Sequence, residues 1–320
     1  MSLNMRLFGT FFTGPLDVMT RRHLSLAVLV ALIWGITFPL TAIALDVLPP
    51  LLLVALRYAI VAVPTLLFIP RPRVRLGWFF GYALGIGLGQ FCFLYAGIAA
   101  GMPAGLASVV IQAVAPFSVI ISVVVFRQRI SGLSWAAVAV SVAGLVIIAV
   151  SQAQVASMAP VLLVLAAGLS WAVGNISSSR AEASNPLHLV LWSCLVSPIP
   201  MMLASLAIDG PERVVTSLSA LVSVDGLPAL GSVLAIGLLS TAFGYGAWTV
   251  LLERYPVSTV APLSMLVPVS GMVASVFILG ESVSGPELSG AVIVVAGVLG
   301  GTLVSMLRRP TSVPVMAVAS

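Results

Sequence analysis

The chain contains no lysine; all fourteen basic side chains in its 320 residues are arginine. Without lysine there is no Walker P-loop, which removes an ATP-driven pump from consideration. The sequence also has no His-Glu-x-x-His and no Gly-x-Ser-x-Gly, so membrane metalloprotease and lipase chemistry lack their machinery. Its two histidines, His23 and His188, and acids such as Glu253, Glu281 and Glu287 sit near the ends of apolar runs, and no run carries a pair of carboxylates. The two cysteines, Cys92 and Cys194, lie inside apolar runs with neither metal-ligand nor disulfide spacing and read as buried packing thiols. No enzyme, metal or cofactor is expected. Charge is scarce as well: 7% of residues are charged, 60% are hydrophobic, and mean hydropathy is +1.20. A soluble protein of this size cannot bury that much apolar side chain, so the chain is read as an all-α integral membrane protein. The net charge of +5 comes from arginines placed between apolar runs, which favours orientation in a bilayer over nucleic-acid binding.

What is present is a series of ten apolar runs, each of the length a bilayer core requires. Their approximate cores are 23–44, 50–69, 78–98, 103–125, 133–150, 160–178, 187–208, 230–252, 257–279 and 286–306. Short breaks with turn chemistry separate them, among them Pro49-Pro50, Pro70-Arg71-Pro72, Asn185-Pro186 and Pro256. Residues 1–22 hold a short apolar piece and no small-residue cleavage site, which argues against a signal peptide, and Met19 would serve equally well as a start. If the N-terminus is cytoplasmic, the inner segments hold Arg6, Arg21, Arg22, Arg71, Arg73, Arg75, Arg127, Arg129, Arg180, Arg254, Arg308 and Arg309, and the outer loops hold only Arg213. That bias places both termini in the cytoplasm, including the segment 1–22 and a tail 308–320.

The two halves repeat one another. A shift of 137 residues lays Trp34 on Trp171, Phe38 on Asn175, Thr41 on Ser178 and Pro49 on Pro186; a shift of 153 lays Pro103 on Pro256, Ser131-Gly132 on Ser284-Gly285 and Gly144 on Gly297. With a one-residue adjustment Gln112 meets Ser264 and Pro116 meets Pro268. Five spans per half turn the second copy upside down. The expected architecture is therefore two inverted five-helix repeats, 23–150 and 160–307, with a binding site between them near the midplane.

Candidate site residues are polar or aromatic groups at membrane depth. Arg57 lies about 10 Å inside the second run at 1.5 Å per residue, where an arginine is costly unless it faces protein or water. Its planar fork suits a carboxylate; the alternative is snorkelling or a structural bond to backbone carbonyls. Ser108, Gln112 and Pro116 recur at spacing four, which puts them on one helix face looking into a solute pathway. Trp34, Phe38, Gln90, Trp171, Asn175, Tyr245 and Ser264 join Arg57 and Gln112 as expected substrate contacts, with Pro116 and Pro268 as hinges. For each aromatic or hydroxyl residue the competing explanation is ordinary packing between helices. Gly81, Gly85 and Gly89, four apart, form a close-contact seam.

These residues carry a resemblance. Trp34-Gly35 with Phe38, Pro49-Pro50 leading to Leu56-Arg57-Tyr58, Gly101-Met102-Pro103-Ala104-Gly105, Trp171 with Gly174-Asn175, Gly244-Tyr245-Gly246 with Trp248, and Ser264 with Pro268 occur in an order that resembles the ten-helix EamA-type branch of the drug/metabolite transporter superfamily. The likeness spans roughly His23 to Leu307 and is closest to exporters of O-acetylserine and cysteine. It implies an inner-membrane exporter of small amino-acid metabolites, working by alternating access, with membrane lipid as its surroundings and no nucleic-acid partner. Multidrug efflux would want a mid-span carboxylate, a nucleotide-sugar carrier more cations, and a sensor or assembly subunit no flux at all. The family's Gly-Glu pair closing the fourth span of each half is met by Gly280-Glu281 in the second half, whereas Arg127-Gln128 stands in the first.

Overall fold

The computed structural model of the chain describes residues 19–155, 157–255 and 257–307. Most of the N-terminal segment 1–22, the tail 308–320 and Pro256, the expected repeat partner of Pro103, therefore lie outside the described residues. Ten helices are long and apolar enough to cross a membrane: α1 Arg21–Leu45, α2 Pro50–Phe68, α3 Leu76–Ala99, α4 Ala104–Val124, α5 Gly132–Val155, α6 Ala159–Ala181, α7 Pro186–Ile208, α8 Leu227–Arg254, α9 Ala261–Leu279 and α10 Gly285–Leu307. They form because each run is apolar on nearly every face and must satisfy its backbone internally once water is gone. The loops α2–α3, α4–α5 and α6–α7 make up the arginine-rich end, and α1–α2, α3–α4, α7–α8 and α9–α10 the arginine-poor end. Side chains such as Leu67, Phe68 and Phe277, 71%, 77% and 85% exposed, face outward and suit a lipid surround.

Helix packing repeats with the halves. α3 lies along α6 as α8 lies along α1, and α4 meets α6 as α9 meets α1; α2 pairs with α7, α4 with α9 and α5 with α10. In the α5–α10 seam the correspondence reaches single atoms. A methyl built on Gly144 would stand 2.7 Å from Val294 N, and one on Gly297 would stand 2.6 Å from Ser141 N, and residues 141 and 144 become 294 and 297 under the shift of 153. The N-terminal caps agree too. Ser284 and Glu287 form a capping box at α10, with Ser284 N donating to Glu287 Oε2 at 2.7 Å, and at the same places around the start of α5 Ser134 N donates to Ser131 Oγ at 3.0 Å. The expected glycine seam is present: methyls on Gly81 and Gly85 would meet Ser177 and Gly174 of α6 at 2.5 and 2.6 Å, and one on Gly89 would meet Ser170.

The backbone breaks also come in pairs. α3 winds as a π-helix over Ala83–Gly89 and α8 over Ala235–Gly244; α4 tightens to 3-10 over Ile111–Ala113 and α9 over Ala261–Met265. The 3-10 pair has a covalent cause. Pro116 and Pro268 carry no N–H, so the carbonyls of Gln112 and Ser264, four residues upstream in each copy, lose their helical donor. One element was not anticipated: a helix Pro211–Leu221 in the α7–α8 loop, turned off α7 by Gly210 at φ 85°. It buries Val214 and Leu221 and shows Arg213 and Val215 outward.

Candidate substrate site

Arg57 is 3% exposed, on the face of α2 turned to α3 and α8. Its Nη1 donates to Tyr95 Oη at 2.7 Å and its Nε to Thr241 Oγ1 at 3.1 Å. The guanidinium lies 3.7 Å from the Phe91 ring centroid and 5.5 Å from that of Tyr58, so cation–π contact replaces much of the lost hydration. No protein acceptor among the described residues reaches Nη2. The snorkelling alternative fails, because the group is anchored laterally to two other helices. Thr241 is held in turn through its bond to Ile236 O at 3.1 Å, a five-residue step that belongs to the π-turn of α8.

Trp34 and Tyr245 complete this side. Trp34 Nε1 donates to Ser240 O at 3.0 Å, and its ring lies 5.5 Å from Tyr245 and 5.1 Å from Trp248. Gly244 makes the approach feasible, since a methyl there would stand 2.6 Å from Trp34 Nε1. Gln90, beside Phe91, is 5% exposed, and its Oε1 has no hydrogen-bond partner. Phe38 is buried in the main apolar cluster.

The remaining candidates fall on α4, α6 and α9. Gln112 is 4% exposed, and no partner for its amide is found among the described residues. It lies in the 3-10 stretch of α4 that packs on Gly168 of α6. Trp171, half-buried, bridges two apolar clusters. Asn175 is exposed two residues past the outward-facing Val173, so about 200° around the helix from it. Ser264 turns its hydroxyl back to Ala261 O at 2.7 Å. The Ser108–Gln112–Pro116 line divides where the sequence pattern placed it on one face. Ser108 bonds Gly105 O and Pro268 O within the α4–α9 contact, whereas Pro116 borders a groove of about 310 Å³ shared with α5 and α10. The intervening 3-10 turn breaks the four-residue spacing. Thr241 and Phe91, which grip Arg57 together with Tyr95, were not among the candidates; the apolar runs that carry them read equally as packing.

Two closures flank the site. At the arginine-poor end Glu281 accepts from Ala104 N at 2.6 Å and Gly105 N at 2.9 Å, tying the end of α9 to the start of α4. At the other end His23 Nδ1 lies 2.6 Å from Tyr255 Oη and its Nε2 lies 3.4 Å from Arg254 Nη1, joining α1 to α8. In the first half the place of Glu281 belongs to Gln128.

An inverted ten-helix bundle with broken helices and a polar group buried at depth defines a membrane carrier fold. The chain belongs to the EamA-like transporter family, whose model matches residues 21–150 and 158–302. It is 38% identical over 301 residues to a probable amino-acid metabolite efflux pump of Salmonella typhimurium, covering 92% of this chain and 99% of the relative. A protein of the same description from Escherichia coli K12 is also 38% identical, over 87% of this chain and 94% of its own. A probable terminal-alkyne amino-acid exporter of Streptantibioticus cattleyicolor is 27% identical over 85% of this chain and 90% of its own. One crystal structure superposes with a TM-score of 0.58 at 19% identity, covering 89% of this chain and 99% of that one, and supports the fold alone.

Proposed function

We propose that this protein exports amino acids and related small metabolites, with cysteine-like compounds foremost, across the bacterial inner membrane. The observation that carries the reading is the Arg57 guanidinium, buried between helices and gripped by Tyr95 and Thr241 with its Nη2 edge unclaimed. A fixed cation at that depth favours a carboxylate, and amino-acid metabolites carry one. The names of the relatives point the same way. Trp34 and Tyr245 would wall the substrate, while Gln112, Asn175 and Trp171 would line its path.

Both termini face the cytoplasm in this reading, because twelve of the fourteen arginines then lie inside. The repeats 23–150 and 160–307 rock about the site, Pro116 and Pro268 bending, and the closures at Glu281 and at His23–Tyr255 open in turn. Arg57 does not release a proton at physiological pH, so the cycle is driven by the substrate's own gradient or through an end-located carboxylate such as Glu281. The direct test is counterflow in proteoliposomes with a panel of labelled amino acids. Protein-dependent exchange of cysteine and O-acetylserine is expected with or without a pH gradient; absence of any exchange would leave a sensor or assembly subunit as the better reading.

A further inference from the structure

α7 does not cross as one helix. It runs from Pro186 to Ser193, turns through residues 194–197, and restarts at Pro198. The restart reads Ser197-Pro198-Ile199-Pro200, and its prolines have no N–H to give. The carbonyls of Cys194 and Val196, four residues upstream, therefore lose their helical donors. The main-chain bonds of the turn end instead on Leu191, Trp192 and Ser193, and the next, from Met201, ends on Ser197. Ser197 is fully buried, and its Oγ has no partner. In hydrocarbon such acceptors need a donor from somewhere.

Two further facts connect this turn to the site. Gly87 seats α3 on it, an atom in the Cβ position lying 3.6 Å from Ser197 Oγ and 3.9 Å from Ser193 O. Three residues on, Gln90 adds another unpaired oxygen beside Phe91, the ring that carries Arg57. The first half of α7 packs on α2, and Cys194, on the turn itself, is buried in the same apolar cluster as Tyr58 and Phe91, the rings against Arg57. Unclaimed oxygens thus lie on α7 and α3, two helices that pack on α2, which carries Arg57. Oxygens of that kind call for a donor with several N–H groups. A bare metal cation is disfavoured beside Arg57, whereas a zwitterion brings a carboxylate that neutralises the arginine.

We propose that the break in α7, with Ser197 and Gln90, is the subsite for a primary ammonium group, so that the substrate is an α-amino acid read by both of its charges. This rests on the assignment of Arg57 to the carboxylate. The test uses labelled cysteine uptake into proteoliposomes, competed by cysteine, by its 2-hydroxy analogue mercaptolactate, and by its decarboxylated analogue cysteamine. The wild type should prefer cysteine to mercaptolactate by about tenfold or more, the scale of one charged hydrogen-bonded contact. Gln90→Leu and Ser197→Ala should erase that preference, weakening cysteine and leaving mercaptolactate within about twofold. Arg57→Gln should weaken cysteine and mercaptolactate alike and spare cysteamine. If Gln90→Leu fails to insert, the near-isosteric Gln90→Met carries the same expectation. Equal weakening of cysteine and mercaptolactate by the Gln90 and Ser197 variants overturns the ammonium subsite alone, as does a sodium requirement that those variants abolish. A wild type that neither binds nor moves any of the three compounds overturns the exporter reading and the subsite together.

Discussion

Arg57 shows how one residue links stability to recognition. It was legible as a candidate because an arginine inside an apolar run needs a reason, but the sequence did not reveal its partners. Tyr95 is thirty-eight residues away and Thr241 one hundred and eighty-four, and no local pattern connects them. Arg57→Lys should fail nearly as badly as Arg57→Gln. A point charge cannot bond Tyr95 and Thr241 and also present a planar edge, so half-saturation should rise about tenfold or more, the effect of losing a charged hydrogen bond of roughly 1.5–3 kcal/mol. Half-saturation measured in proteoliposomes reads this directly. Trp34→Phe should keep the stack on Tyr245 and Trp248 but lose the indole bond to Ser240 O. That change should cost about 1 kcal/mol of stability, visible as a lower midpoint in detergent melting.

Among the elements, span number and approximate ends were readable because hydrophobic length is dictated by the bilayer. Departures from regular helix were not. The π-turns of α3 and α8 occupy glycine-containing apolar runs that look like any packed span, and their pairing emerged only from the fold. The break in α7 was in plain view as Ser197-Pro198-Ile199-Pro200, yet 187–208 passes for one span because prolines in membrane helices are often tolerated. The surface helix Pro211–Leu221 escaped because a run of eleven residues with two charges is too short and polar to register as a span. Pro116→Ala and Pro268→Ala restore an N–H opposite the carbonyls of Gln112 and Ser264. Both variants should be more stable to heat yet transport several-fold more slowly, the usual exchange of flexibility for stability. Equal turnover with raised stability would show that the two breaks are not hinges. On the glycine seam, Gly85→Leu should prevent α3 from reaching Gly174 of α6, and folded protein should be lost on size-exclusion chromatography.

At the scale of the whole molecule, the inverted repeat was visible in the order of tryptophans, prolines and glycines, and the doubled contacts of α5 with α10 bear it out. What the repeat conceals is its asymmetry. Arg57 aligns with Cys194 where symmetry would place another arginine, and Glu281 closes one end while Gln128 stands at the equivalent place in the other half. Glu281→Gln removes a carboxylate acceptor from the first turn of α4, an interaction of about 1 kcal/mol, and should bias the protein toward opening at the arginine-poor end. A Gln112→Cys reporter, with Cys92 and Cys194 replaced by serine, should then react about fivefold faster with a membrane-impermeant thiol reagent added from that side. An unchanged rate would remove Glu281 from the gate.

The claim on which the rest depends is that a fixed cation at the centre of an inverted bundle moves carboxylate-bearing metabolites. Efflux of labelled cysteine from proteoliposomes containing wild type or Arg57→Gln, matched for inserted folded protein, tests it most directly. Wild-type efflux well above empty vesicles, and loss of nearly all of it in Arg57→Gln, is the predicted result. Arg57→Gln efflux at the wild-type rate and half-saturation would contradict the account.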